Sequence, residues 1–265
     1  MIEVLSNEVT SEMLALLVDE VPVQIRRTAV LTSQLPGKIL TDNPHAPSWM
    51  AIWEAGDGTV YWNGVVVPET VTAVARALQQ EGEVLFPFWT ADNPIVACLP
   101  LQPDFKGAAL DFMARDPNVD LDAIINALPA GLSIQPANLA LFEQTHWYAD
   151  NIRLLGSAEN YLATTRAFYL LRGDEILSEA SAGPLVDGVR ELGILTQEAH
   201  RGLGYATLTA AYLVREMEKE GERPFWNCSS TNHPSAAVAR KLGFHNEKLF
   251  NFAWYKPLNQ GDSPD

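Results

Sequence analysis

The sequence predicts an α/β protein of two lobes, α+β in its mixed strand order, and three observations carry that expectation. Short runs rich in β-branched and aromatic residues are interleaved along the chain with runs whose apolar residues recur at helical spacing. A proline- and glycine-bearing stretch, residues 129–136, divides this alternation into two blocks. In the second block an apolar strand passes through a polar loop and a glycine turn into a long helix. The expected division is residues 1–135 as an N-terminal α/β lobe, 136–258 as a C-terminal domain and 259–265 as a frayed tail.

Residues 10–19 are expected to be helical, with Leu14, Leu17 and Val18 on one face. Residues 48–54 and 59–67 read as strands, the second rich in β-branched and aromatic side chains. Pro68 then starts a helix whose apolar face is Val71, Val74, Ala75 and Leu78. Residues 84–88 and 95–99 read as further strands, and 105–115 and 121–128 as helices.

The second block opens with a helix at 158–165, followed by strands at 167–172 and 175–182 around a Gly173-Asp174 turn. A loop leads to a strand at 189–196 and then to a helix at 205–220. That helix turns Leu208, Tyr212 and Met217 toward the sheet and keeps Arg215 and Lys219 near its C-terminus, where they suit the helix dipole. A strand at 225–228, a short helix at 236–242 stopped by Gly243, and a strand at 250–256 complete the block.

At 265 residues and 47% hydrophobic content the chain can bury one sizeable core or two smaller ones. No apolar run reaches the roughly 18 residues of a membrane span. The start, Met1-Ile2-Glu3-Val4, lacks the basic-then-apolar pattern of a signal peptide. Cys98 and Cys228 are the only cysteines and do not make a disulfide framework. A soluble cytoplasmic protein that contacts no membrane is expected. The net charge of −15 speaks against nucleic acid, whose binding rests on Lys and Arg neutralising phosphate. It keeps the protein soluble and is compatible with a cationic substrate drawn in by the long-range field.

The most informative segment is Arg201-Gly202-Leu203-Gly204-Tyr205-Ala206. A strand, a glycine turn and a helix start in that order aim several backbone N–H groups and a helix N-terminus at one point, which suits a phosphate. Glycine lets the ligand approach the backbone without a Cβ in the way. A dinucleotide fingerprint would need glycine or alanine where Thr207 stands, and a carboxylate at the end of the next strand, which is absent. A P-loop would need a lysine after the glycines, and none follows.

The remaining pattern, R-x-x-G-x-A from Arg201 through Gly204 to Ala206, resembles the pyrophosphate-binding signature of the GNAT superfamily of acyl-CoA N-acyltransferases. Downstream, Asn232-x-x-Ser235 with Ala239-Arg240-Lys241-Leu242-Gly243-Phe244 is similar to that family's second motif. The two occur in the family's order with a strand between them, and the strand–helix order of residues 167–256 is that of a GNAT domain. The pattern resembles a two-lobed subgroup whose GNAT domain is the C-terminal half. A degenerate GNAT-like N-terminal half is compatible with that resemblance, although residues 1–135 carry no signature of their own.

The resemblance implies acetyl-CoA as co-substrate, no metal, and a small-molecule or peptide amine as acceptor; a homodimer is compatible with it. It implies that the strand around Ile194, Leu195 and Thr196 holds the pantetheine amides, with the Leu195 N–H beside the thioester carbonyl. Arg201, Gly202, Leu203, Gly204, Tyr205 and Ala206 would take the pyrophosphate. Arg201, Arg240 and Lys241 would concentrate positive potential at the cofactor mouth. Asn232 would bridge to the cofactor or cap the following helix.

An amine must lose a proton, which calls for a carboxylate or ordered water. Glu191, on the cofactor-binding strand, is the leading base, ahead of Glu179 on the preceding strand and His200 beside the turn. The family departure is Ala239, where many members have a tyrosine that protonates the leaving thiolate; Ser235 or water would then serve. Cys228 reads as an inert core thiol, and Trp49, Trp53, Trp62, Trp89 and Trp147 as core residues. A non-catalytic acyl-CoA-binding module, its N-terminal lobe docking a partner, is the competing expectation.

Overall fold

The computed structural model describes residues 1–99 and 103–258; the tail expected at 259–265 lies outside the described residues. The chain runs β1 (Ile2–Val4), α1 (Ser11–Leu14), α2 (Gln24–Leu31), β2 (Gly37–Thr41), β3 (Trp49–Glu54), β4 (Val60–Gly64), α3 (Pro68–Gln79), β5 (Val84–Phe88), α4 (Pro94–Cys98) and β6 (Phe105–Arg115). It continues as α5 (Leu121–Asn126), β7 (Ser133–Pro136), α6 (Leu139–Phe142), α7 (Tyr148–Leu155), α8 (Ala158–Thr164), β8 (Arg166–Arg172), β9 (Glu175–Ala182) and β10 (Val189–Thr196). The last elements are α9 (Tyr205–Lys219), β11 (Arg223–Ser229), α10 (His233–Lys241) and β12 (Phe244–Tyr255). The order β-β-β-α-β-α-β therefore occurs twice, from β2 to β6 and from β8 to β12.

Two compact units divide the chain, residues 1–109 with 249–265, and residues 110–248. Each takes in the far part of the other's last strand, since β6 and β12 both continue across a boundary. The stretch at 129–136 carries β7, which pairs with β8 inside the second unit.

In the first unit β1–β4 form an antiparallel sheet, and β5 pairs with the second half of β12, Tyr255 opposite Val84. The predicted apolar face of α3 is buried: Val71, Val74, Ala75 and Leu78 pack with Trp53, Phe86 and Tyr255. Two assignments made from sequence are corrected here. Residues 95–99 are not a strand, because the Asn93 side chain accepts the Ile95 N–H (3.0 Å) and Pro94 sits in the first turn, which together start α4. Residues 105–115 are not a helix but β6. At Gly107 a Cβ would lie 2.5 Å from the Phe252 ring, so the glycine marks a close approach across the sheet rather than a weak helix position. The helix expected at 10–19 is the single turn of α1, capped by Thr10.

In the second unit the strand order is β12-β6-β11-β10-β9-β8-β7. Helix α9 lies on one face, where Ala210, Leu213, Val214 and Met217 pack with Phe168, Ala180, Leu192 and Trp226. Helices α6–α8 cover the other, where Phe142 stacks on Tyr161 (3.8 Å between rings) beside Ala167 and Tyr169. Strand β10 pairs antiparallel with β9 through Leu192–Thr196, but parallel with β11 only through Val189–Glu191. Past Glu191 the two parallel strands part, leaving one edge of β10 open.

Candidate functional site

The open edge of β10 has a defined polarity. The Gly183 amide donates to the Glu191 carbonyl (3.0 Å) and the Gln197 amide to the Leu177 carbonyl (3.1 Å). Antiparallel alternation then commits Gly193 and Leu195 to β9 and turns the main-chain groups of Ile194 and Thr196 toward the gap. The Leu195 amide, expected beside a carbonyl substrate, faces Glu179 across β9 instead.

Beyond the strand, residues 198–200 form a 3-10 turn and the chain passes through Gly202 (φ 79°) and Gly204 (φ 82°) into α9. Both glycines occupy the left-handed region that side chains avoid. A Cβ on either would meet no protein atom within 4 Å, so φ demands glycine here and the space in front is open. Gly204 is the N-cap of α9, leaving the first-turn amides without a side-chain cap. Tyr205 sends its ring inward against Leu170, Leu177 and Leu208 while its backbone begins the helix.

These parts line one cavity of about 640 Å³. Ile194, Leu195 and Thr196 form one wall, and Arg201, Gly202, Gly204, Tyr205 and Ala206 the next. The start of α10, with Asn232 and Ser235, closes it, and Lys241 reaches it from the end of that helix. Leu203 is exposed and does not line the cavity. The Asn232 side chain accepts the Ser235 N–H (3.1 Å), so it caps α10 while facing the cavity. Of the three cations expected at the mouth, Arg201 and Lys241 are there, Arg201 Nε donating to the Thr196 carbonyl (3.2 Å). Arg240 is instead paired in bidentate fashion with Glu247, both contacts 2.6 Å.

Ser235 Oγ accepts the Trp226 indole N–H (3.1 Å) at the cavity wall. Ala239 is fully buried in the core beneath α10 and does not line the cavity. Cys228 is buried, and burial pushes its thiol pKa up, as suits an inert core thiol.

A second cavity of about 420 Å³ shares Leu195, Thr196 and Arg201 with the first. Its floor holds Ile176, Ser178 and Glu179, and its rim the segment Gln144-Thr145-His146 with Gln197 and Glu198. Glu179 is 5% exposed, and burial raises its carboxyl pKa to about 7, partly opposed by the His146 amide that donates to Oε1 (3.3 Å). Tyr169 stands opposite Glu179 on β8, with Tyr161 close by. Burial pushes the Tyr161 hydroxyl to about 12 and the Tyr169 hydroxyl higher still, so Glu179 is the titrating group of this cluster near neutrality.

Glu191 is half-buried on β10 opposite Phe225 and lines neither cavity. His200 lines the first cavity, its Nε2 3.1 Å from Glu175 Oε1. Trp147, expected in the core, is half-buried and lies 3.5 Å from where a Cβ on Gly193 would stand, against the face of β10 opposite α9. The sequence reading missed the 144–147 segment because it sits between two short helices that were themselves unrecognised; its aromatic and histidine beside a polar run were the available signal. Among the described residues no cluster of His, Cys, Asp and Glu could hold a metal ion, and no helix is long and apolar enough to cross a membrane.

A sequence model of the family described as GNAT acetyltransferase matches residues 27–252. The chain is 33% identical over 88 residues to the uncharacterized N-acetyltransferase YdfB of Bacillus subtilis (strain 168), a match that takes in 33% of this chain and 34% of that relative. Among solved structures it resembles a GCN5-related N-acetyltransferase-like protein from Streptococcus suis 89/1591, with TM-score 0.66 and 18% identity over 94% of this chain and 99% of that one. It also resembles a tandem GNAT protein from the clavulanic acid biosynthesis pathway, with TM-score 0.51 and 14% identity over 96% and 94% of the two chains. At these identities the likeness to solved structures speaks for the fold.

Proposed function

The chain belongs to the GNAT acetyltransferase family, a family of acyltransferases, and we propose that it moves an acetyl group directly from acetyl-CoA to a primary amine. The observation that carries this reading is the continuity of an open β10 edge with the two left-handed glycines and the uncapped start of α9. An extended amide-bearing arm fits the first, as an added strand would. A pyrophosphate fits the second, within reach of backbone N–H groups, Arg201 and the positive end of the helix dipole. Ile194 and Thr196 would hold the arm, Arg201–Ala206 the pyrophosphate, and Lys241 a further phosphate at the end of α10.

Bound acetyl-CoA supplies an acyl thioester, whose C–S bond breaks as the amine nitrogen forms the new C–N bond. The amine proton goes to Glu179, whose buried carboxyl with a pKa near 7 is matched to neutral conditions. Glu191, which borders neither cavity, becomes the second candidate. Main-chain N–H groups on the open edge, at Ile194 or Thr196, are better aimed than Leu195 at charge developing on the carbonyl oxygen. The thiolate, with a pKa of about 8.5, leaves without a tyrosine. The Ser235 hydroxyl, oriented by Trp226, is the donor that this chain offers on that wall.

Released thiol measured with acetyl-CoA and a panel of amines tests the reading. Turnover supports it. A rise in melting temperature with coenzyme A but no turnover on any amine would favour a non-catalytic acyl-CoA-binding module, because only a ligand of the native state raises stability. A cytoplasmic location and a homodimer complete the proposal and await fractionation and light scattering.

A further inference from the structure

We infer that the acceptor is a small hydrophilic amine without a carboxylate, such as an amino alcohol or amino sugar, held in the cavity floored by Glu179. The inference rests on the transfer reading above and narrows it. The cavity, about 420 Å³, is the size of a small-molecule site. It adjoins the cofactor cavity along Leu195 and Thr196, where an acyl donor and an acceptor have to meet.

Its lining decides the chemistry. Ile176 and Leu195 are the two wholly hydrocarbon side chains on its walls, and the one aromatic ring there is the polar imidazole of His146. An arylalkylamine would find no phenyl or indole ring on the walls to stack on and would strip water from polar groups without replacing it. Several of the polar groups are spent inside the protein: Ser178 Oγ on the Leu195 carbonyl (3.1 Å), Thr145 Oγ1 on the Phe142 carbonyl (2.7 Å). Gln144 donates its Nε2 to the Ala140 carbonyl (2.8 Å), which leaves its side-chain oxygen as an acceptor at the rim. Glu198 adds a second acceptor. Two carboxylates and the Gln144 oxygen face the cavity beside donors from Arg201 and Gln197, and the carboxylates favour an acceptor molecule that brings donors: an ammonium or amine, and hydroxyls.

Charge separates amino acids from amines. Glu179 and Glu198 face the cavity against Arg201, which also lines the cofactor cavity, where a phosphate would take its charge. A free amino acid would set its carboxylate among carboxylates. A protein terminus would need subsites for several residues, more than a cavity of this size supplies.

The test compares 2-aminoethanol and glucosamine with 2-phenylethylamine, glycine and an unacylated pentapeptide. Thiol release from acetyl-CoA is followed at a single mildly alkaline pH and at equal concentrations of unprotonated amine. The hydroxylated amines are expected to lead in kcat/KM by about tenfold or more. Glu198→Gln, at an exposed rim position, should raise the acceptor KM about three- to fivefold while calorimetric affinity for coenzyme A stays unchanged. Equal rates across the panel, or a lead for the arylalkylamine, glycine or the peptide, would overturn the inference while leaving acyl transfer intact. Thiol release on none of them, with coenzyme A still raising the melting temperature, would sink the transfer reading and this inference with it.

Discussion

Glu179 owes its chemistry to position: a carboxyl at the floor of a cavity, with a backbone N–H on one oxygen and two buried tyrosines behind it. Its raised pKa means that the base-competent carboxylate forms only as pH rises through about 7. kcat/KM should therefore climb to a plateau above that value, and Glu179→Gln should abolish the limb while lowering kcat by about 10²–10⁴-fold. The stability effect has the opposite sense. The folded protein keeps a proton that the unfolded chain gives up in the ordinary carboxylate range, so wild-type stability falls from there up to about pH 7. Denaturant melts of Glu179→Gln across that window should show the fall reduced. A kcat fall confined to Glu191→Gln, with Glu179→Gln fully active, would hand the base role to Glu191.

In the proposed site, Arg201 and the glycines would act on binding. Arg201→Ala should weaken coenzyme A affinity about tenfold by calorimetry, the loss expected for one charge-assisted contact. Gly204→Ala places a side chain at φ 82° and should cost about 1–2 kcal/mol in stability as well as affinity. An unchanged Kd in both variants would remove the turn from the site.

At the scale of elements, α10 is held at both ends by local rules. Asn232 caps its start, and Gly243 ends it at φ 88° with the would-be Cβ 2.7 Å from Val119 and 3.0 Å from the Asp116 carbonyl. Gly243→Ala is expected to lose about 1–3 kcal/mol by chemical denaturation, more than the roughly 1 kcal/mol of Asn232→Ala. The reverse order would mean that the helix end relaxes around a side chain. These caps were readable in the sequence because each is a local pattern. β6 was not: its alanines, leucine and methionine fit a helix, and the Phe252 ring packed against Gly107 is supplied from far along the chain.

For the whole molecule, the repeated β-β-β-α-β-α-β order raises the question of a second cofactor site. The place in the first half that corresponds to the glycine turn is Gly64–Pro68, between β4 and α3. There the Val65 amide already donates to the Ser48 carbonyl (2.8 Å), Pro68 has no N–H to offer, and Glu69 puts negative charge in the first turn. Calorimetry should accordingly find one coenzyme A per chain; two equivalent sites would show that the first half binds by other means.

The sequence by itself determined the family, the glycine turn, the capped helix after it and the alternation of the second half, because all of these rest on patterns a few residues long. Only the tertiary structure decided that β10 parts from β11 after Glu191, that Ile194 and Thr196 rather than Leu195 face the gap, and that Arg240 is spent on Glu247. It also underlies the proposal of Glu179 rather than Glu191 as the base. Burial sets a carboxyl's pKa, and burial depends on side chains brought in from β8, β10 and the 144–147 segment, none of them neighbours in the chain.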